Sequence, residues 1–196
     1  MSRKRSAAVL AVIVIGVLAV TAAVSSRVAD GQQVFQTGPT VKAFLTLTEI
    51  EGGATERAHA GSIEVLAFNW GLENAVPRAG AQMLAGVRPE FGDLVITKPL
   101  DKSSPILAVA AAEGRMIQEA ELVFYAQASD SEPAGTIKLT GVRVRAVESG
   151  TSSATGLTES VGLAFSRIEW TFNATDARGG TTRISSGWDL ETNRRM

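Results

Sequence analysis

The chain has 196 residues, 45% of them hydrophobic and 20% charged, the balance of an ordinary globular domain and not of a disordered or fibrous chain. It contains no cysteine, which excludes a disulfide framework and a thiolate metal site. Its net charge of −1 hides an asymmetry: past the first thirty residues 15 basic residues face 19 acidic ones, which argues against a nucleic-acid-binding surface.

The first thirty residues hold the basic excess. "MSRKRS" is a basic n-region, Ala7 to Val24 is an uncharged apolar run, and "SSRVADGQQ" follows, small and then polar. This is the layout of a secretory signal, with Ala23 and Ser25 at plausible cleavage positions. The alternative is a membrane anchor formed by residues 7–24, since about 18 apolar residues is the lower limit for a spanning helix. Either way the working domain is expected outside the cytoplasm, secreted or periplasmic. The membrane is a partner only if the segment is retained. We expect residues 1–30 to be this signal or anchor, 31–41 a polar linker and 42–196 the folded domain.

Strand patterns begin with "VKAFLTLT", in which Val41, Ala43, Leu45 and Leu47 share one face. "TERAHAGS" then carries the single histidine, His59, read as a hydrogen-bonded turn residue before a strand. "SIEVLAFNW" sets Ile63, Val65 and Ala67 against Leu66, Phe68 and Trp70, so both faces of that strand are expected to be covered. Leu72 to Asp93 is longer than an ordinary hairpin connection and reads as a protruding arm. After the strand "FGDLVI", Pro99 closes the element. Ser104-Pro105 then reads as an N-cap and first helical residue. "ILAVAAAE" supplies helix formers, and Gly114 suits a left-handed C-terminal cap. One short helix, about 105–113, is therefore expected to lie over an open end or seam of the sheet.

"QEAELVFYA" places Ala120, Leu122, Phe124 and Ala126 inward, with Glu119 and Glu121 outward. Two later segments change phase. In "TIKLTGVRVRAV" the apolar set moves from Ile137 and Leu139 to Val142, Val144 and Ala146 around Gly141. In "ESVGLAFSRIEWTFNAT" it moves from Val161, Leu163 and Phe165 to Ile168, Trp170 and Phe172 around Ser166. A phase slip within one strand means a bulge or a sharp bend. The Ser/Thr/Gly-rich stretch from Glu148 to Glu159 reads as a mobile loop, and "TRISSGWDLE" supplies the last strand. Seven or eight strands, two of them bent, point to a small barrel or a tightly folded sandwich.

The inventory for catalysis is poor. No nucleophile elbow, phosphate-binding loop or dinucleotide fingerprint occurs. His59 has no second histidine or cysteine as co-ligand, only Glu56 three residues earlier, which is too little for a metal site. Glu119 and Glu121 read as the solvent face of a strand and not as a catalytic pair. Arg143 and Arg145 read as an exposed or interface side. Asn173 heads a glycosylation triplet at a strand end. No catalytic residue, cofactor or metal is expected, and the chain is not expected to be an enzyme.

The order of motifs resembles one family. "KAFLTLTEIEG", "HAGSIEVLAFNWG", "DLVITKPLDKSSPILAVAAAEG", "EAELVFY", "IKLTGVRVRAVESG", "ESVGLAFSRIEWTF" and "GWDLETNR" together resemble the Hcp proteins, the haemolysin-coregulated tube proteins of bacterial type VI secretion. The resemblance runs from Lys42 to Arg194. It implies a mainly β fold, a small β-barrel of two curved antiparallel sheets with one short α-helix. It also implies a structural subunit that forms hexameric rings, which stack into a hollow tube and meet a spike protein or secreted effectors. The arm corresponds in position to the family's extended loop, making Glu73, Asn74, Val76, Arg78, Met83, Leu84 and Arg88 candidates for ring-to-ring contact. Tube proteins of the family carry no export signal, so residues 1–30 are a departure from it. The alternative function is an exported monomeric β-barrel that binds or carries a ligand and no longer forms rings.

Overall fold

A computed structural model describes residues 42–74, 89–127, 131–152, 156–175 and 180–196. The expected signal, the linker and most of the arm lie outside the described residues. Among the described residues no helix is long and apolar enough to cross a membrane.

The strands are β1 (Lys42–Leu47), β2 (Ile63–Val65), β3 (Ala67–Asn69), β4 (Leu72–Glu73), β5 (Glu90–Phe91) and β6 (Leu94–Pro99). The helix α1 (Ser104–Glu113) comes next. Then follow β7 (Met116–Tyr125), β8 (Gly135–Ser152), β9 (Gly156–Ala164), β10 (Arg167–Thr175), β11 (Thr181–Asp189) and β12 (Arg194–Arg195). All the pairings are antiparallel. Among the described residues the fold is therefore mainly β with one α-helix, as expected.

The expected barrel is not closed. One branched ladder runs β2–β1–β7–β8–β9–β6–β3, and β10, β11 and β12 continue from β8 as a side branch. The ends of the main path, β2 and β3, are joined only through Leu66, whose N–H donates to the Thr97 carbonyl (2.8 Å). The sheet thus wraps nearly all the way round without a closed ladder. The break also corrects the expectation for "SIEVLAFNW". It is two short strands, with Leu66 turned out at 45% exposure instead of covered on both faces. A single continuous strand would have to turn the corner of the wrap, and one residue outside the ladder does so instead.

The two phase slips produce the other corner, and they face each other. β8 pairs with β10 up to Arg167↔Thr140 and with β9 from Arg143↔Ala164. The chain leaves the ladder at Gly141 on one strand and at Phe165–Ser166 on the other. Gly141 has φ +65°, and a Cβ there would lie 2.7 Å from the Ser166 hydroxyl. Only glycine meets both demands. The β-bulge itself lies a few residues on, between Val144 and Ala146. Glu148 to Glu159, expected as a loop, is instead largely the paired ends of β8 and β9, through Thr151↔Leu157 and Ser152↔Gly156. Thr-rich sequence is compatible with strand, and pairing to a partner strand outweighed its polar composition.

Cross-strand rows build the core. Leu47, Ala120, Leu139, Ile168 and Trp188 form one row. Ile63, Leu45, Leu122, Ile137 and Trp170 form the next. Leu45, Leu122, Ile137, Leu139 and Ile168 are essentially sealed from solvent. Each such aliphatic side chain stabilises the fold by roughly 1.5–3 kcal/mol relative to exposure.

Helix α1 packs against β8. It buries Leu107 and Ala110, while Ile106 and Val109 remain exposed, so its apolar cover is narrower than the four residues suggest. Gly114 ends it in the left-handed conformation, with its N–H on Ala111 O (3.2 Å) and that of Arg115 on Ala110 O (3.0 Å). The N-terminus differs from the expectation. Ser103 is the capping residue, without a side-chain cap bond, and Ser104 is the first helical residue. The Ser104 hydroxyl is engaged elsewhere.

Candidate functional site

The stretch from Thr97 to Pro105 joins β6 to α1 and holds the densest polar cluster in the described fold. Along β6 the inward positions are Leu94, Ile96 and then Lys98. The strand's own alternation therefore drives a lysine into the core, where its side chain has no exposure. Its ammonium donates to Glu159 Oε1 (2.8 Å), Asp101 Oδ1 (2.8 Å) and the Pro99 carbonyl (2.8 Å), with the Ser104 hydroxyl at 3.2 Å. Glu159 faces it from β9 as its cross-strand partner and is itself sealed at 1% exposure. A buried charge is tolerated only when paired and hydrogen-bonded, and Lys98 is.

Asp101 extends the cluster to two more segments. Its Oδ2 accepts the Gly53 N–H (2.6 Å), and its Oδ1 accepts the Ser103 N–H (2.9 Å) and hydroxyl (2.5 Å). Burial pushes its carboxyl up, but the bonds from Lys98, Ser103 and Gly53 outweigh that and hold it below the ordinary aspartate range. The Ser104 hydroxyl accepts the Asp101 N–H (3.0 Å) and donates to Glu159 Oε1 (2.8 Å). One lysine thus ties together a strand end, a helix start, a neighbouring strand and the 52–53 loop. Every one of these groups is committed, so the cluster holds structure and offers no chemistry. The sequence reading passed over it. The inward parity of Lys98 after Leu94 and Ile96 signals its burial, though not its partner Glu159.

The arm has a stem. β4 and β5 form a separate two-stranded sheet through Leu72↔Phe91 and Glu73↔Glu90. Beneath it lies an aromatic group: Phe91 stacks on Trp170 (6.4 Å between centroids) and meets Phe165 edge-on (6.3 Å), and Trp70 lies 5.1 Å from Trp170. Of the candidate contact residues, Glu73 and Asn74 are exposed at this stem. Val76, Arg78, Met83, Leu84 and Arg88 lie outside the described residues.

The remaining sequence candidates fall in separate places. His59 stacks on Phe44 (4.2 Å), and its Nε2 shares a hydrogen bond with the Tyr125 hydroxyl (2.7 Å), in a 3-10 turn just before β2. Glu56 pairs with Lys42 and not with the histidine. Glu119 is exposed and bonded to Lys138 (3.0 Å), and that bond raises the lysine above its ordinary value. Arg143 and Arg145 are exposed, with Arg145 reaching Asp93 (3.2 Å). The Asn173 amide donates to the Pro133 carbonyl (2.8 Å). Among the described residues no group of His, Cys, Asp and Glu could hold a metal ion.

Known proteins share this arrangement. The family model described as "Type VI secretion system effector, Hcp" matches residues 44–172. Protein hcp1 of Pseudomonas aeruginosa is 27% identical over 157 residues, covering 78% of this chain and 97% of that protein. A solved type six secretion system protein is 28% identical, with a TM-score of 0.71 over 79% of this chain and 99% of its own. Hcp1 from Salmonella typhimurium, at 24% identity, shares the fold with a TM-score of 0.66 over 80% of this chain and 99% of its own.

Proposed function

The chain belongs to the Hcp family of the type VI secretion system, and from that membership we propose that it is a tube subunit whose copies close into a hexameric ring. The family is one of secreted structural proteins and not of enzymes. The observation that carries the reading is the family match across residues 44–172, which takes in most of β1, all of β2 to β9 and most of β10, together with the Lys98 junction. Rings stack through the arm between Leu72 and Asp93, with Glu73 and Asn74 among its contact residues. Effectors or a spike protein are the further partners. Residues 1–30 direct the chain across the membrane by the general secretory route, so that assembly takes place on the far side.

Light scattering and negative-stain microscopy of the exported protein test this. The expected result is a hexamer seen as rings. Deleting residues 74–89 should leave single rings that no longer stack. A compact monomer at high concentration would remove the ring and leave the exported carrier domain as the reading.

A further inference from the structure

The stem of the arm sets two like charges against each other. β4 and β5 form a two-stranded sheet that no other described strand extends. A lone two-stranded ribbon is marginal in water, so small terms decide whether its strands stay paired. Phe91 is held from below by Phe165 and Trp170. Leu72 opposite it is 46% exposed, so β4 has little apolar burial of its own.

The outer of the two residue pairs is Glu73↔Glu90. Directly opposite residues of an antiparallel pair share one face of the sheet, and like charges there weaken the pairing. The backbone forces the two together. The Gly92 N–H donates to the Gly71 carbonyl (2.9 Å), and by antiparallel alternation the next residues to exchange backbone bonds are Glu73 and Glu90. The carboxylates therefore meet whenever the stem is paired to its end. Among the described residues neither is in an ion pair. Trp70, Phe165 and Trp170, in the aromatic group beneath, bring no charge. Asp93, beyond Gly92, is taken by Arg145 of β8 (3.2 Å).

We propose that the Glu73–Glu90 pair is an acid-strengthened clasp at the base of the arm. While both are charged the end of the stem opens readily, and a proton on either one keeps it shut. This rests on the reading of the arm as the stacking element and adds its regulation: acid favours the stem, and with it stacking. The sign follows from the pair itself. Carboxylates as a class lose charge as the pH falls toward about 4, and a single proton removes the repulsion.

Hydrogen exchange at the Glu73 and Glu90 amides tests the clasp, in the protein expressed from its complete sequence and corrected for the direct effect of pH on exchange. From about pH 7 to about pH 4, wild-type protection is expected to rise about two- to five-fold, the range for a like-charge cross-strand pair. In Glu73→Gln, at an exposed side chain, protection should be high at both pH values. In Glu73→Lys the pair becomes an attraction, so protection should instead fall in acid. A change in global stability would not reverse sign with the charge. Wild-type protection that stays flat, or a rise that persists in both variants, overturns the clasp. Negative-stain microscopy at the two pH values reads stacking separately. Acid-sensitive exchange without stacked rings at either pH keeps the clasp and removes the stacking reading, and stacked rings with flat exchange do the opposite.

Discussion

Lys98 is the residue on which most local structure converges, and its removal should cost more than that of any surface ion pair. Lys98→Met leaves Glu159 buried without its cation, a loss of about 3–5 kcal/mol. Adding Glu159→Leu should recover part of it, because Asp101 keeps its bonds from Ser103 and Gly53. Urea denaturation of the two variants measures both effects, and a single variant within about 1 kcal/mol of wild type would show that the cluster is incidental. Asp189 gives a second residue-scale expectation. The Arg167 guanidinium (2.8 Å) and the Thr192 N–H (2.8 Å) hold its carboxyl down to about 2. The folded carboxylate therefore binds a proton less readily than the unfolded one, near 3.8, so acid favours unfolding. Its contribution is present above about pH 4 and fades as the pH falls toward 2. The difference in melting temperature between wild type and Asp189→Asn should shrink over that interval. A constant difference from pH 5 to pH 2 would contradict the assignment.

Among the elements, the corner between β8 and the β9–β10 pair makes the sharpest claim. Gly141→Val must place a β-branched side chain at φ +65° and against the Ser166 hydroxyl. The expected cost is about 1–3 kcal/mol, read as a lowered melting temperature, and Ser166→Gly should relieve only the steric part of it. An unchanged melting temperature would mean that the strand can straighten there. This corner was legible in the sequence, since a shift in apolar parity has one physical meaning in a strand. The helix was legible from local chemistry too: Pro105 fixes the backbone at its start, and Gly114 permits the left-handed turn that ends it. Elements decided by long-range pairing were not. Nothing local in "ESGTSSATGLTE" announces that it completes β8 and β9, and nothing in "SIEVLAFNW" announces the break at Leu66. The Lys98 cluster needed Glu159 brought from 61 positions away, which no local pattern can supply.

For the whole molecule, the proposal that residues 1–30 direct export requires an unfolded chain that rebuilds a branched sheet after crossing. N-terminal sequencing of the protein recovered from the expressing bacterium should find a start between Ala23 and Gly31. An intact Met1 or Ser2 in the membrane fraction would favour the anchor instead. The rebuilt fold also contains its own chemical reporter. Of the four lysines in the described residues, Lys42, Lys102 and Lys138 have side chains that reach solvent, while that of Lys98 is sealed. An acylating reagent applied to the native protein will find three of these amines open and the fourth closed. Lys98 takes the label only when β6, β9 and the start of α1 come apart. The extent of acylation at that one position, read by peptide mass, is therefore a direct count of how often the molecule opens.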